Sequence, residues 1–285
     1  MPMVRVRVPA STSNLGPGFD CLGLALELYN EVSVEPAAET LASPFMEAAA
    51  QAFFAASGAM PFPFRVEVRG DVPSARGLGS SVTVRLGVLM ALNRLCGETL
   101  DQQRLFELGA RLEGHPDNAA AACFGGFTVV QKRGGHLSQV LRYDVDPALK
   151  VVLCVPDFEI QTAEARKVLP STYRREEVID NLAGTAAVVA AFVSRNYRIL
   201  RGAFTDQLHQ PYRQTLIPFL PEVIAAGVKA GALGGFLSGS GSTIACLTLT
   251  REREVAEAML AATPGRAAFT CTVGVDNAGA KLTNG

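Results

Sequence analysis

Val72-Pro73-Ser74-Ala75-Arg76-Gly77-Leu78-Gly79-Ser80-Ser81-Val82-Thr83 is the stretch on which the reading of this chain turns. Before it, Phe64-Arg65-Val66-Glu67-Val68 alternates apolar and charged residues, as a half-buried strand does. After it, Val84, Leu86, Val88, Leu89, Leu92 and Leu95 recur at helical spacing until Gly97 ends the run. A Gly- and Ser-rich turn therefore joins a strand to the start of an amphipathic helix. Two glycines allow the backbone to approach a ligand closely, and the free amides of a helix start favour an anion. Ser80 and Ser81 stand where a hydroxyl caps a helix or ligates a phosphate-bound Mg2+, and Arg76 adds positive charge beside the loop. This is the composition of a phosphate cradle, but not of a Walker loop, because no lysine follows the last glycine. The same residues also make a plain glycine turn with a serine N-cap, and within this stretch the two readings stay open.

The 285 residues carry a formal net charge of −1 and are 48% hydrophobic and 19% charged. That length suits one large or two moderate domains with ample core. The near-neutral balance, with no Lys/Arg cluster, argues against a nucleic-acid surface. The first residues alternate charges and do not read as a signal peptide, and the longest apolar run, residues 185–193, is too short to span a bilayer. Cys21, Cys96, Cys123, Cys154, Cys246 and Cys271 are scattered through apolar runs, which suggests buried thiols and not disulfides or zinc ligands. A cytoplasmic protein with no nucleic-acid or membrane partner is expected.

Outward from the loop, the chain reads as a strand over 3–8 and then a loop of small, polar and turn-forming residues over 9–20. Within it Asn14 and Asp20 offer an amide and a carboxylate. Two strands over 21–28 and 31–35 and a helix over 44–56 precede the central strand, loop and helix. A helix over 101–112, with Asp101 as N-cap, runs into Glu113-Gly114-His115-Pro116-Asp117-Asn118. One carboxylate plus substrate phosphates suffices for Mg2+, whereas zinc wants more His or Cys than stands nearby; a capped loop reads equally well. A hairpin follows over 127–142, turning at Arg133-Gly134-Gly135. Beyond a boundary placed at residue 147 come a buried strand at 151–155, three helices over 161–231, strands at 234–238 and 243–250, a helix at 251–262 and a strand at 268–275. That order predicts an α+β layer with a four-stranded sheet.

Three segments match one family in order. Pro73 to Thr83 resembles the nucleotide loop of the GHMP kinases, and the segment 234–243 resembles that family's C-terminal glycine loop. Pro9-Ala10-Ser11-Thr12-Ser13-Asn14-Leu15-Gly16-Pro17-Gly18-Phe19-Asp20 is similar to the first motif of its homoserine kinase branch. Glu113 to Asn118, Thr162-Ala163-Glu164-Ala165-Arg166 and Asp206-Gln207-Leu208-His209-Gln210-Pro211-Tyr212-Arg213 support the same branch. Two departures stand out: Val82 occupies a position usually small, and Gly241-Ser242-Thr243 replaces the more usual Gly-Pro-Thr, which implies a less rigid loop.

The resemblance implies a two-domain GHMP kinase fold. It consists of an N-terminal nucleotide-binding domain (1–147; ribosomal protein S5 domain 2-like) and a ferredoxin-like C-terminal domain (148–285). It implies transfer of the ATP γ-phosphoryl group to the hydroxyl of L-homoserine, a step toward threonine. Pro73, Ser74, Ala75, Arg76, Gly77, Leu78, Gly79, Ser80, Ser81, Val82 and Thr83 would bind nucleotide, and Ser81 with Glu113 would hold Mg2+. By the same analogy Arg166 and Arg213 take the substrate carboxylate, since guanidinium forks match that anion. Asp20, with Asn14 beside it, faces the ammonium; Asn118 orients the hydroxyl; His115 and Thr162 lie in the same site. Asn118, His115 and Glu113 form the catalytic set, with no side chain assigned as general base, and a homodimer is the family expectation. Mevalonate-pathway kinases suit Asp20 and two arginines less well, because mevalonate has no ammonium. L-threonine as acceptor stays open, and a regulatory member would be expected to lack Glu113 or the glycine loop. No hydrolase elbow or protein-kinase signature is present.

Overall fold

The computed structural model describes residues 3–263, 265 and 267–283. Strand β1 (Val4–Ser13) pairs antiparallel with β2 (Leu22–Pro36), a single strand of 15 residues. The sequence reading places two strands here, over 21–28 and 31–35. The structure instead places a register shift there, opposite Pro9 and Ala10. Bulges of this kind add twist, and here the inward face of both strands changes. Val6, Val8, Val32 and Val34 pack under helices, whereas Ala10, Leu22, Leu24 and Leu26 pack into the second half of the chain. The expected loop at 9–13 is thus the end of β1. Its small polar residues Ser11, Thr12 and Ser13 are buried in the sheet.

Helix α1 (Pro44–Ser57) follows, then β3 (Phe64–Gly70), which takes the outer half of β2. Helix α2 (Ser80–Leu95) starts directly from the glycine-rich loop. In α3 (Gln102–Glu113) the Asp101 side chain accepts from the Arg104 amide at 2.8 Å, the predicted N-cap. Helix α4 (Asp117–Phe124) leads to the hairpin β4 (Phe127–Arg133) and β5 (His136–Tyr143).

The second half opens with β6 (Lys150–Pro156). Between residues 161 and 231 there are four α-helices, not three: α5 (Thr162–Lys167), α6 (Arg175–Ser194), α7 (Gln210–Arg213) and α8 (Leu220–Ala230). Strands β7 (Gly234–Leu237) and β8 (Ile244–Thr248), helix α9 (Glu252–Ala261) and β9 (Ala268–Val273) complete a four-stranded antiparallel sheet of order β7-β8-β6-β9. That order in a strand–helix–strand–strand–helix–strand chain is the ferredoxin-like arrangement. By length and composition α6 is apolar enough to cross a bilayer; in the molecule its inner side, with Val188, Ala191 and Phe192, packs into the shared core.

A strand absent from the sequence reading, β10 (Lys281–Thr283), returns to pair with β1. The last described residues therefore belong to the first sheet, although they were expected in the C-terminal domain. The two sheets also share a core: Leu22, Leu24 and Leu26 of β2 pack with Val151, Leu153 and Val155 of β6. All six cysteines are free thiols; Cys123, Cys154 and Cys246 are buried, and burial pushes Cys123 and Cys246 up to about 12.

Candidate active site

The glycine-rich loop lies in the crease between the two sheets. Its carbonyls face protein: Ala75 accepts from the Ile160 amide, Arg76 from Thr243, and Leu78 from Ser11, each at 3.1 Å. The Ser238 hydroxyl lies 2.7 Å from the Gly77 carbonyl and 2.7 Å from the Thr12 hydroxyl. With the carbonyls turned away, the amides of residues 76–81 have no backbone acceptor among the described residues, and the helix dipole of α2 adds to their attraction for an anion.

The glycines are needed for a different reason from the one expected. A Cβ on Gly77 (φ +74°) would stand 2.1 Å from the Ser238 carbonyl oxygen, and one on Gly79 (φ +67°) 2.3 Å from the Ser11 hydroxyl. Close approach of protein to protein demands them.

Arg76 departs from expectation as well. Its Nε donates to the Pro156 carbonyl at 3.0 Å and its Nη2 to Asp157 at 3.2 Å, with Glu159 3.5 Å from Nη1. Its charge is engaged in joining the loop to the second sheet. Val82 is buried and leaves the helix start intact. Nor is the 241–243 segment loose: the Ser242 hydroxyl donates to the Phe158 carbonyl at 2.6 Å, and the Thr243 amide is the one held by Arg76.

One cleft gathers Ala75 to Val82, Glu113, His115, Asn118, Asn14, Asp20, Thr162, Arg166 and Arg213. Pro73, Ser74 and Thr83 do not line it. Thr83 sits behind the loop, its hydroxyl accepting from Asn30 at 2.8 Å and donating to the Ser80 carbonyl at 2.7 Å.

At the nucleotide-loop end, the Ser81 hydroxyl donates to Glu113 Oε2 at 2.8 Å, while Arg85 donates to Oε1 at 2.6 Å. Two hard oxygen donors thus sit side by side at the helix start, a set that fits Mg2+ completed by water and phosphate oxygens. Asn118, also in the cleft, is pinned by serines. Its Oδ1 accepts from Ser11 and its Nδ2 donates to Ser13, both at 2.9 Å, and the second Nδ2 proton is left for a ligand. His115 Nδ1 lies 3.6 Å from Asp117 Oδ1. Burial alone would lower the His115 pKa, but the neighbouring Asp117 carboxylate outweighs it and raises the imidazole above its ordinary value. Burial likewise opposes ionisation of Asp117, yet His115, the Asn118 amide and the Ser13 hydroxyl hold its carboxyl below the ordinary value.

In the same cleft Asp20 and Arg166 face each other as a forked pair, Nη2–Oδ1 at 2.6 Å and Nη1–Oδ2 at 3.1 Å. Asn14 closes the turn that carries Asp20. Its Oδ1 accepts from the Asp20 amide at 3.1 Å and its Nδ2 donates to the Gly239 carbonyl at 3.0 Å. The turn is fixed from outside by α6, where Asn181 and Thr185 donate to the Pro17 carbonyl at 2.6 and 2.8 Å. Arg213 is 2% exposed and donates through Nε to the Ala165 carbonyl (3.1 Å) and through Nη1 to the Gly239 carbonyl (2.9 Å). Burial, and then the neighbouring Arg166 charge, lower its pKa to about 10. Two cationic forks held close together favour an anion between them.

Ser13, Phe19, Gly239 and Ser240 also line the cleft and were not singled out as ligands by sequence reasoning. Phe19 lies beneath both guanidiniums, 5.4 Å from Arg166 and 5.3 Å from Arg213. It stood inside a quoted motif, but an aromatic residue gives no signal of which cations will settle on it.

The model of the GHMP kinases N terminal domain matches residues 44–126, and that of the GHMP kinases C terminal matches residues 188–264. The chain is 39% identical over 287 residues to a homoserine kinase of Moorella thermoacetica, covering 96% of each. To a homoserine kinase of Desulfitobacterium hafniense it is 37% identical, covering 98% of this chain and 100% of that one. Its fold is that of a crystal structure of homoserine kinase from Cytophaga hutchinsonii, with a TM-score of 0.90 at 23% identity over 99% and 98% of the two chains. A mevalonate kinase crystal structure superposes with a TM-score of 0.71 at 13% identity over 96% and 99%. Spanning both domain models and nearly the full length of its homoserine kinase relatives, this chain belongs to the GHMP kinase family.

Proposed function

We propose that the protein transfers the γ-phosphoryl group of ATP to the side-chain hydroxyl of L-homoserine, giving O-phospho-L-homoserine for threonine biosynthesis. The observation that carries this reading is the pairing of Asp20 with Arg166, in the cleft that also holds Arg213 and the glycine loop. Such a pair matches a zwitterionic amino acid: the substrate carboxylate takes Arg166 and Arg213, its ammonium takes Asp20, and each replaces the partner that the other displaces.

The amides of residues 77–81 wrap the ATP phosphates. Ser81 and Glu113 would hold Mg2+, which would supply neutralisation of phosphate charge. Asn118, fixed by Ser11 and Ser13, donates its remaining Nδ2 proton to the acceptor hydroxyl and aims its lone pair at phosphorus. His115 adds positive charge beside the transferring group, since Asp117 favours its protonated form. Among the described carboxylates of the cleft, Asp20 is paired to Arg166, Glu113 to Arg85 and Ser81, and Asp117 to His115. None stands free to act as general base, so the hydroxyl proton passes to phosphate oxygen or water. Positioning and charge neutralisation carry the acceleration.

The test is ADP release with Mg-ATP against L-homoserine, L-threonine and mevalonate, the product being identified by mass. Turnover on homoserine supports the reading. Turnover on threonine or mevalonate in its place keeps the kinase and removes the substrate assignment.

A further inference from the structure

His209 belongs to none of the roles above, yet it is fully buried against the amino-acid end of the cleft. It begins the short turn of α7 that carries Arg213. Its backbone amide, with those of Leu208 and Gln210, is capped by the Asp206 carboxylate at 3.1, 2.9 and 2.6 Å. The ring spans the gap between that turn and the turn carrying Asp20. Nε2 lies 2.9 Å from the Gly16 carbonyl and 3.3 Å from Asp206 Oδ2, while Nδ1 lies 3.2 Å from Arg213 Nη1. The ring face stacks on Phe19 at 5.1 Å, and Phe19 underlies both arginines.

The partners determine the proton. Gly16 and Asp206 offer only acceptors to Nε2, so Nε2 carries the hydrogen. The guanidinium has only donors, so Nδ1 must be bare to receive one. A doubly protonated ring would aim N–H at N–H.

The geometry points to His209 as a positioning residue: through its neutral Nε2–H tautomer it holds the Arg213 guanidinium and the turn of residues 14–20 at one spacing, and so sets affinity for the carboxylate of the amino-acid substrate. Burial supports the neutral form, pulling the imidazole down to about 4 against the opposing charge of Asp206, with Arg213 adding to the fall. The kinetic part of the test rests on the proposed homoserine chemistry; the spectroscopic part does not.

The protein has three histidines, so 15N-resolved imidazole spectra of the ligand-free enzyme can be assigned with single variants. His209 is expected with Nε2 protonated and Nδ1 bare, and without titration from pH 8 to pH ~5. A protonated Nδ1, or a midpoint in the neutral range, overturns the proposal.

In kinetics, His209→Asn places Oδ1 where Nδ1 stands and still accepts from Arg213, whereas His209→Gln reaches only the Nε2 position. His209→Asn should hold the rise in KM for homoserine to about threefold, and His209→Gln should raise it about tenfold or more, with kcat and KM for ATP moving less in both. On an Arg213→Gln background the further effect of His209→Gln should vanish, because the residue acts through that arginine. Asn no better than Gln, full additivity, or an equal rise in KM for ATP each refute the assignment. A wild-type enzyme inert toward homoserine refutes the function reading instead, and leaves the tautomer measurement to decide the role of His209.

Discussion

Asp20→Asn separates a ligand from a base. The Asp20–Arg166 pair is a close fork, but the two side chains are 30% and 36% exposed. At that exposure a pair contributes only about 0.2–1 kcal/mol to folding, so the variant should melt within a few degrees of wild type, at ~2–4 °C per kcal/mol for a chain of this size. Binding should suffer more. A charge-assisted hydrogen bond from ammonium to carboxylate is worth about 1.5–3 kcal/mol. Part of its loss is offset, because the variant no longer has to open the Asp20–Arg166 pair. The net of about 0.5–2.8 kcal/mol corresponds to a rise in KM for homoserine of roughly 2- to 100-fold, at ~1.4 kcal/mol per tenfold. Turnover at saturating homoserine should change little, because Asp20 plays no part in proton transfer. The freed Arg166 should also improve binding of 4-hydroxybutyrate, which has the carboxylate and hydroxyl of homoserine without the ammonium. Steady-state kinetics on both compounds decides the matter. A fall in kcat of about 100-fold or more at saturation would make Asp20 a general base, and an unchanged KM would remove it from the site altogether.

Gly77→Ala should destabilise the protein by about 1–2 kcal/mol from its left-handed backbone alone. Its Cβ, 2.1 Å from the Ser238 carbonyl, should also part the two glycine loops and raise KM for both ATP and homoserine; an unchanged melting curve would refute that account. Glu113→Gln should raise the Mg2+ concentration for half-maximal rate, about tenfold for each ~1.4 kcal/mol of lost attraction, and a magnesium titration identical to wild type would take Glu113 out of the metal site. Stability should fall as pH drops from ~6.5 toward 4, with a limiting slope of about 1.4 kcal/mol per pH unit from His209. Its imidazole is held neutral to about 4 when folded but protonates near its ordinary value when unfolded, so acid favours the unfolded chain. His115 acts in the opposite sense: its raised pKa contributes stability that is fully present below the unfolded value of ~6.5 and is lost as pH rises through the folded value. Denaturant melts of wild type and His209→Gln between pH 4 and 7 should differ in slope; parallel curves would refute the assignment.

Much of the architecture follows from local patterning. The strand before the glycine loop, the helix after it, the Asp101 cap and the β4–β5 hairpin all lie where alternation, helical spacing and turn residues place them. The glycine-rich turn into a helix was legible because its features are local: consecutive amides at a helix start depend on glycines and serines that are neighbours in the chain. The residues of the amino-acid end were legible only through motif resemblance. Asn14, Asp20, Arg166 and Arg213 are each unremarkable in composition, and nothing within their own segments says that they meet.

Tertiary structure alone decided the rest. The chain's own pattern determined that a strand, an anion-ready loop and a helix succeed one another, because hydrogen bonding and side-chain periodicity act over a few residues. It did not determine that β10 returns to the first sheet, since three residues carry too little periodicity to declare a partner. The pattern was equally silent on the faces exchanged along β2, on Arg76 turning to Asp157, and on Asp20 pairing with Arg166. Charge says that a carboxylate will seek a cation; which cation it finds depends on contacts across 146 positions of sequence, and only the packing of the two sheets into one core brings those positions together.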